Sequence, residues 1–153
     1  MSESLAIQEM LREALAERYG KEELPARFRA FDTICSATQD RQDAVQRLLA
    51  EGGLDVMLVI GGYNSSNTQA LARICSDKLP TYHIRGPEGL VGATVHYRPA
   101  GHNSEAREAQ WLPEGAVAVG LTAGASTPDN VVGEVIEKLL ALRGCSAEEL
   151  APA

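Results

Sequence analysis

Cysteine is scarce in this chain and poorly spaced for structural use. The 153 residues hold three, Cys35, Cys75 and Cys145, an odd number with no C-x-x-C pair, which argues against a disulfide framework and a self-contained zinc site. Clustered basic residues are missing too. Lys and Arg total 14 against 21 Asp and Glu, a formal charge of −7, so the chain lacks the electrostatic footprint of a nucleic-acid binder. No apolar run approaches the ~20 residues that a membrane helix needs. The start, Met1-Ser-Glu-Ser-Leu-Ala-Ile, has neither the basic opening nor the apolar core of a signal peptide. A cytoplasmic protein with no nucleic-acid or membrane partner is expected.

What is present reads as one domain able to bury a core, with 44% hydrophobic and 23% charged residues. Residues 3–19 form a helix with a loose apolar stripe of Leu5, Met10, Leu11, Leu15 and Tyr19, stopped by Gly20. Strand-like and helix-like segments then alternate: strand 28–34 and helix 39–51 with Thr38 as its cap, strand 55–60 and helix 66–78, strand 81–84, a loop-rich stretch 85–115, strand 116–121 and helix 128–143 before Gly144. The apolar runs are continuous and do not alternate with period two, as in strands buried on both faces. The fold class predicted is α/β, a three-layer sandwich with a mainly parallel sheet of about four strands, plus an N-terminal helix. The segments expected are an N-terminal helical piece over 1–27, the α/β domain over 28–145 and a tail over 146–153.

Twice a buried strand hands over to a helix through small polar residues. Asp55-Val-Met-Leu-Val-Ile-Gly-Gly62 leads into Asn64-Ser65-Ser66-Asn67, and Val117-Ala-Val-Gly-Leu121 leads through Thr122-Ala-Gly-Ala-Ser126-Thr-Pro128 into the last helix. Free N–H groups and the helix dipole favour an anion at such places. The competing reading is that Ser65, Ser126 and Thr127 are only helix caps, each contributing about 1 kcal/mol. Cys75 and Cys145 read as buried filler, His83 as a strand residue, and His96 and His102 as solvated loop residues. Cys35 closes the run Phe28-Arg-Ala-Phe-Asp-Thr-Ile-Cys35 at a third strand-to-helix edge. If these strands are neighbours, Cys35, Ser65 to Asn67 and Ser126 converge on one rim.

Three segments carry a resemblance: Asp32-Thr-Ile-Cys-Ser-Ala-Thr-Gln-Asp-Arg-Gln-Asp-Ala-Val45, Leu58-Val-Ile-Gly-Gly-Tyr-Asn-Ser-Ser-Asn67 and Val119-Gly-Leu-Thr-Ala-Gly-Ala-Ser-Thr-Pro-Asp129. They resemble the C-terminal part of the LytB/IspH family, the 4-hydroxy-3-methylbut-2-enyl diphosphate reductases, and Ala16-Glu-Arg-Tyr-Gly-Lys21 and Trp111-Leu-Pro-Glu-Gly115 are similar to its cyanobacterial and plant-type branch. The resemblance implies an oxidoreductase of isoprenoid biosynthesis that holds a 4Fe-4S cluster on three cysteines and removes an allylic hydroxyl with two electrons. It implies Cys35 as one cluster ligand, Ser65, Ser66, Asn67 and Ser126 as diphosphate-binding groups, and ferredoxin or flavodoxin as electron donor. No catalytic acid or base of the family is matched within the chain.

The other two cluster cysteines of the family have no counterpart here, since Cys75 and Cys145 match no family ligand. The chain is therefore expected to be inactive alone, completed by the missing N-terminal part of the enzyme or by a split-gene partner. The alternative is a free-standing, non-redox module that binds a diphosphate or a protein. With one thiolate of three, anaerobic reconstitution with iron and sulfide should leave little or no stable four-iron cluster. Stoichiometric iron in a brown protein, lost on Cys35→Ser, would overturn this.

Overall fold

The computed structural model describes residues 3–29 and 36–145. The chain divides into two compact units, residues 1–34 and 35–153. In the first, α1 (Glu3–Tyr19) stops at Gly20, whose φ of 85° lies in the region that favours glycine. A 3-10 turn (Lys21–Glu23) and the short α2 (Leu24–Arg27) follow. Arg27 reaches back to Glu23 at 3.1 Å and lies over the Tyr19 ring at 4.6 Å. The expected apolar stripe of α1 leaves Met10, Leu11 and Tyr19 exposed. The side chain of Leu5 is outside the described ones.

The second unit opens with α3 (Ser36–Glu51), which starts earlier than expected, so Thr38 lies inside the helix and does not cap it. The helix ends where Gly52 and Gly53 take φ of 73° and 79°. Of the expected strand 28–34, Phe28 and Arg29 are in no strand, and residues 30–34 lie outside the described part, as does Cys35. Then come β1 (Val56–Ile60), α4 (Ser66–Ser76) and β2 (Thr81–Ile84). The stretch read as loop-rich holds β3 (Leu90–Val91), β4 (Thr94–Tyr97) and β5 (Ala106–Ala109), which form an antiparallel sheet of their own. His96 is accordingly a strand residue, paired with Arg107, and His102 is exposed in a loop. The unit closes with β6 (Val119–Ala123) and α5 (Asp129–Arg143).

The main sheet has the order β2-β1-β6 and is parallel throughout. Every residue of the central β1 is buried, and its side chains alternate between two cores. Met57 and Val59 pack with Val45, Leu71, Ala72 and Cys75 of α3 and α4. Val56, Leu58 and Ile60 pack with Val135 and Leu139 of α5 and with Leu90, Val95 and Trp111 of the second sheet and its flank. Helices on one face and helix plus antiparallel sheet on the other give the three layers expected for an α/β fold. Gly120 stands opposite Met57 in the ladder, and a Cβ there would overlap the Met57 thioether.

The second sheet is fastened to the first through Tyr82. Its ring meets Tyr97 and Trp111 edge-on at 4.9 and 5.3 Å, and its hydroxyl donates to Glu108 at 2.9 Å. Burial and the neighbouring Glu108 carboxylate push that hydroxyl's pKa up. At the far end Gly144 is left-handed (φ 67°), and Cys145 donates its N–H to Leu140 at 3.0 Å, which closes α5. This leaves Cys145 exposed, not buried as expected, because the helix has ended before it.

Leu58 is fully buried at the centre of the sheet. Leu58→Ala should cost about 2–5 kcal/mol, read as a fall in the urea midpoint, whereas the exposed Val91→Ala should stay within about 0.5 kcal/mol of wild type.

Candidate functional site

In a parallel sheet all strands release their chains on one rim, and Ile60 aligns with both Ile84 and Ala123 there. The loops 61–65, 85–86 and 124–128 therefore emerge side by side. The first and last are bolted together. Gly124 donates its N–H to the Ile60 carbonyl at 2.9 Å, and the Thr127 hydroxyl donates to the same oxygen at 3.1 Å. Gly61, at φ 146°, donates to the Ile84 carbonyl at 2.9 Å. A Cβ on Gly61 would come within 2.6 Å of Thr127 Oγ1, and one on Gly124 would overlap Thr68 Oγ1, so both glycines are there because the two loops touch.

Ser65 is the N-cap of α4: its side chain accepts from the Thr68 N–H at 3.3 Å and its carbonyl accepts from Gln69 at 3.0 Å. The cap reading thus holds for Ser65, whose hydroxyl hydrogen is still free to donate. It fails for Ser126 and Thr127, because Pro128 is the N-cap of α5 and Thr127 spends its hydroxyl on Ile60. The N–H groups of Ser66 and Asn67 have no intrahelical acceptor, as at any helix start. The Ser66 side chain is exposed, and so is Ser126 in the tight turn closed by Thr127 N–H to Gly124 O at 2.9 Å. Asn67 is half-buried, and among the described residues neither its Nδ2 nor its Oδ1, both shielded from solvent, has a partner, nor does Thr68 Oγ1 beside it. Unpaired buried amide atoms are costly. They lie at a rim that also carries helix-start donors.

The rim carries cations that motif reading missed. Arg41, in the early part of α3, donates to the Ala123 carbonyl at 2.9 Å, so α3 brings a guanidinium to the end of β6. Arg85 follows β2 directly and pairs with Glu105 at 3.2 Å. Beneath the first loop, His83 Nε2 donates to the Gly61 carbonyl at 3.0 Å, and the ring meets Tyr63 edge-on at 4.9 Å. Burial lowers the His83 pKa; the Gly61 bond opposes this and the nearby Arg98 cation adds to it. His83 is thus a strand residue as expected, and it also supports the loop.

The thiols in view do not make a metal site. Cys75 lies near the far end of α4, fully buried, with its pKa pushed up to about 11 by burial. Cys145 follows the far end of α5. Among the described residues no group of three or more His, Cys, Asp or Glu could hold a metal ion. Nor is any described helix long and apolar enough to cross a membrane.

A parallel α/β unit with two locked, polar strand-to-helix loops at its carboxyl rim belongs to the class of folds that bind anionic ligands there. Comparison with known proteins narrows this. The model of the LytB protein family matches residues 3–140. The 4-hydroxy-3-methylbut-2-enyl diphosphate reductase of Gloeobacter violaceus is 46% identical over 93% of this chain and 34% of its own length. That of a Synechococcus strain is 48% identical over 92% of this chain and 35% of its own length. A solved (E)-4-hydroxy-3-methyl-but-2-enyl diphosphate reductase, described as the terminal enzyme of the non-mevalonate pathway, superposes with a TM-score of 0.53 at 36% identity, covering 71% of this chain and 32% of that one. The chain belongs to the LytB family, and it spans about a third of the length of the relatives it matches.

The buried His83 ring gives the fold a pH dependence of known sign. Its folded pKa is depressed from the ordinary 6.5, so the unfolded chain takes up the proton first, and the stability this ring contributes is complete above 6.5 and lost as pH falls below it. Urea unfolding of wild type against His83→Gln should show the gap between the two narrowing from pH 7.5 to about 5.5. A constant gap over that range would contradict a buried neutral imidazole.

Proposed function

We propose that this chain is the part of a 4-hydroxy-3-methylbut-2-enyl diphosphate reductase that grips the diphosphate of the allylic substrate. The observation that carries the reading is the half-buried Asn67 amide, unpaired at both atoms, at the start of α4 where the loops after β1 and β6 are locked together. Ser66 and Asn67 offer backbone N–H groups, and Ser65, Ser66 and Ser126 offer hydroxyl donors. The Asn67 Nδ2 is a further donor that gains a partner only when an anion arrives. Held there, the diphosphate fixes where the allylic carbon sits, which is this unit's contribution to the rate.

Cys35, one residue before α3, is the thiolate this chain would give to a 4Fe-4S cluster shared with the remainder of the enzyme. When bound, that cluster supplies the electrons and the Lewis acid for removing the allylic hydroxyl, with ferredoxin or flavodoxin as the electron source. The products are isopentenyl and dimethylallyl diphosphate. The residues of this chain contribute anchoring and orientation, and none acts as acid or base. The cytoplasm is the compartment that fits this chemistry.

Helix-start donors are fixed by the sheet, so the chain alone should bind inorganic pyrophosphate weakly, in about the millimolar range, at about 0.3–1 kcal/mol per charge–dipole contact. In a titration followed by amide chemical shifts, Ser66, Asn67 and Ser126 should move, and Asn67→Ala combined with Ser126→Ala should abolish the response. Shifts no larger than those from sulfate at equal ionic strength would count against the reading.

A further inference from the structure

Tyr63 sits in the middle of the loop after β1, between Gly61-Gly62 and the cap Ser65, and it is held from every side. The guanidinium of Arg85 lies 4.5 Å from its ring centroid and that of Arg98 lies 4.6 Å from it. Its carbonyl accepts from Arg98 Nη1 at 3.1 Å and from Gln69 Nε2 at 2.7 Å. His83 meets the ring edge. Arg98 is itself pinned, donating its N–H to the His83 carbonyl at 2.9 Å where the chain leaving β4 bridges to β2. Among the described residues Arg85 has a carboxylate partner, Glu105, and Arg98 has none. In a chain of net charge −7, an arginine with no acid partner that grips both the ring and the carbonyl of one loop residue is placed for that residue.

We infer that Arg98 is a positioning residue: through its hold on Tyr63, the antiparallel sheet keeps the Gly61–Asn67 loop in the shape that receives the diphosphate. The inference rests on the diphosphate reading for its ligand but not for the hold itself. A cation over an aromatic face and a charge-assisted bond to the adjacent carbonyl act on the same residue from the same side chain. They fix both the ring and the peptide plane just upstream of the helix start. The second sheet then acts on the ligand rim without touching the ligand.

Two readouts on the full chain test this. Amide exchange at Gly61, Ser65 and Thr68 should quicken at least about tenfold in Arg98→Ala, while Gly124 keeps its wild-type rate, and pyrophosphate affinity should fall by about tenfold, the scale of one charged hydrogen bond. Tyr63→Phe keeps the ring and should match wild type in both readouts, whereas Tyr63→Leu, which loses the ring and keeps the carbonyl, should change both in the same direction as Arg98→Ala and by less. Tyr97→Phe, which loosens the second sheet away from the loop, should lower the urea midpoint and leave both readouts unchanged. Unaltered loop exchange in Arg98→Ala overturns the inference whether or not pyrophosphate binds. Quickened exchange with unaltered affinity overturns the link to the ligand. A wild-type chain that ignores pyrophosphate counts against the proposed function, and the exchange data still decide the clamp.

Discussion

Burial of β1 on both faces is the constraint from which the rest of the unit follows. A five-residue strand with no exposed side chain must find cover above and below and a hydrogen-bonded neighbour on each edge. The α3 and α4 pair covers Met57 and Val59, and α5 with the antiparallel sheet covers Val56, Leu58 and Ile60. Both neighbours run parallel to β1, so its carboxyl end at Ile60 coincides with theirs. The Ile60 carbonyl then becomes the shared acceptor for Gly124 and Thr127. The rim is thus a consequence of packing, and its chemistry is set by the residues the chain uses as soon as packing releases it.

Those residues divide into two groups by depth. Thr68, Thr127, Gly61 and Gly124 face one another: the Thr127 hydroxyl bonds the Ile60 carbonyl, and the two glycines leave room for the Thr68 and Thr127 side chains. Ser66 and Ser126 face solvent, and Asn67 lies between the groups with an amide that has no protein partner among the described residues. A bonded inner layer beneath exposed donors is the arrangement on which the proposed diphosphate reading draws. The basic side chains nearby, Arg41, Arg85 and Arg98, all bond carbonyls or stack on a ring. They offset locally an overall acidic chain.

Much of this was legible in the amino-acid order because it is local. The run Thr81–Ile84 is a strand at the bounds read from sequence, and β1 differs by one residue. Ser65 as a cap and the polar loop that follows β1 were visible because strand, turn and helix start are adjacent in the chain. What stayed hidden is long-range or compositionally mixed. β6 begins at Val119 and not at 116 because Ala118 is taken up by Asp55, through N–H to Oδ2 at 2.8 Å and O from N–H at 2.9 Å, and it runs on through Thr122 and Ala123, which look like loop residues. The strands β3 to β5 are two to four residues long and carry His96, Arg107 and Glu108, so no period shows. Arg98 meets Tyr63, and Thr127 meets Ile60, across sequence gaps of 35 and 67 residues, which no local pattern reveals.

Gly120 offers a consequence of another kind. The Met57 thioether occupies the space that a side chain at position 120 would fill, and Leu54 stands at its edge. Position 120 is therefore a socket, and its size is set by what its neighbour inserts. Related chains should vary the two positions together: a side chain at 120 demands a shorter residue at 57, and a shorter residue at 57 beside glycine leaves a void that close-packed interiors do not tolerate. Such paired change would record, in sequences alone, that β1 and β6 lie side by side.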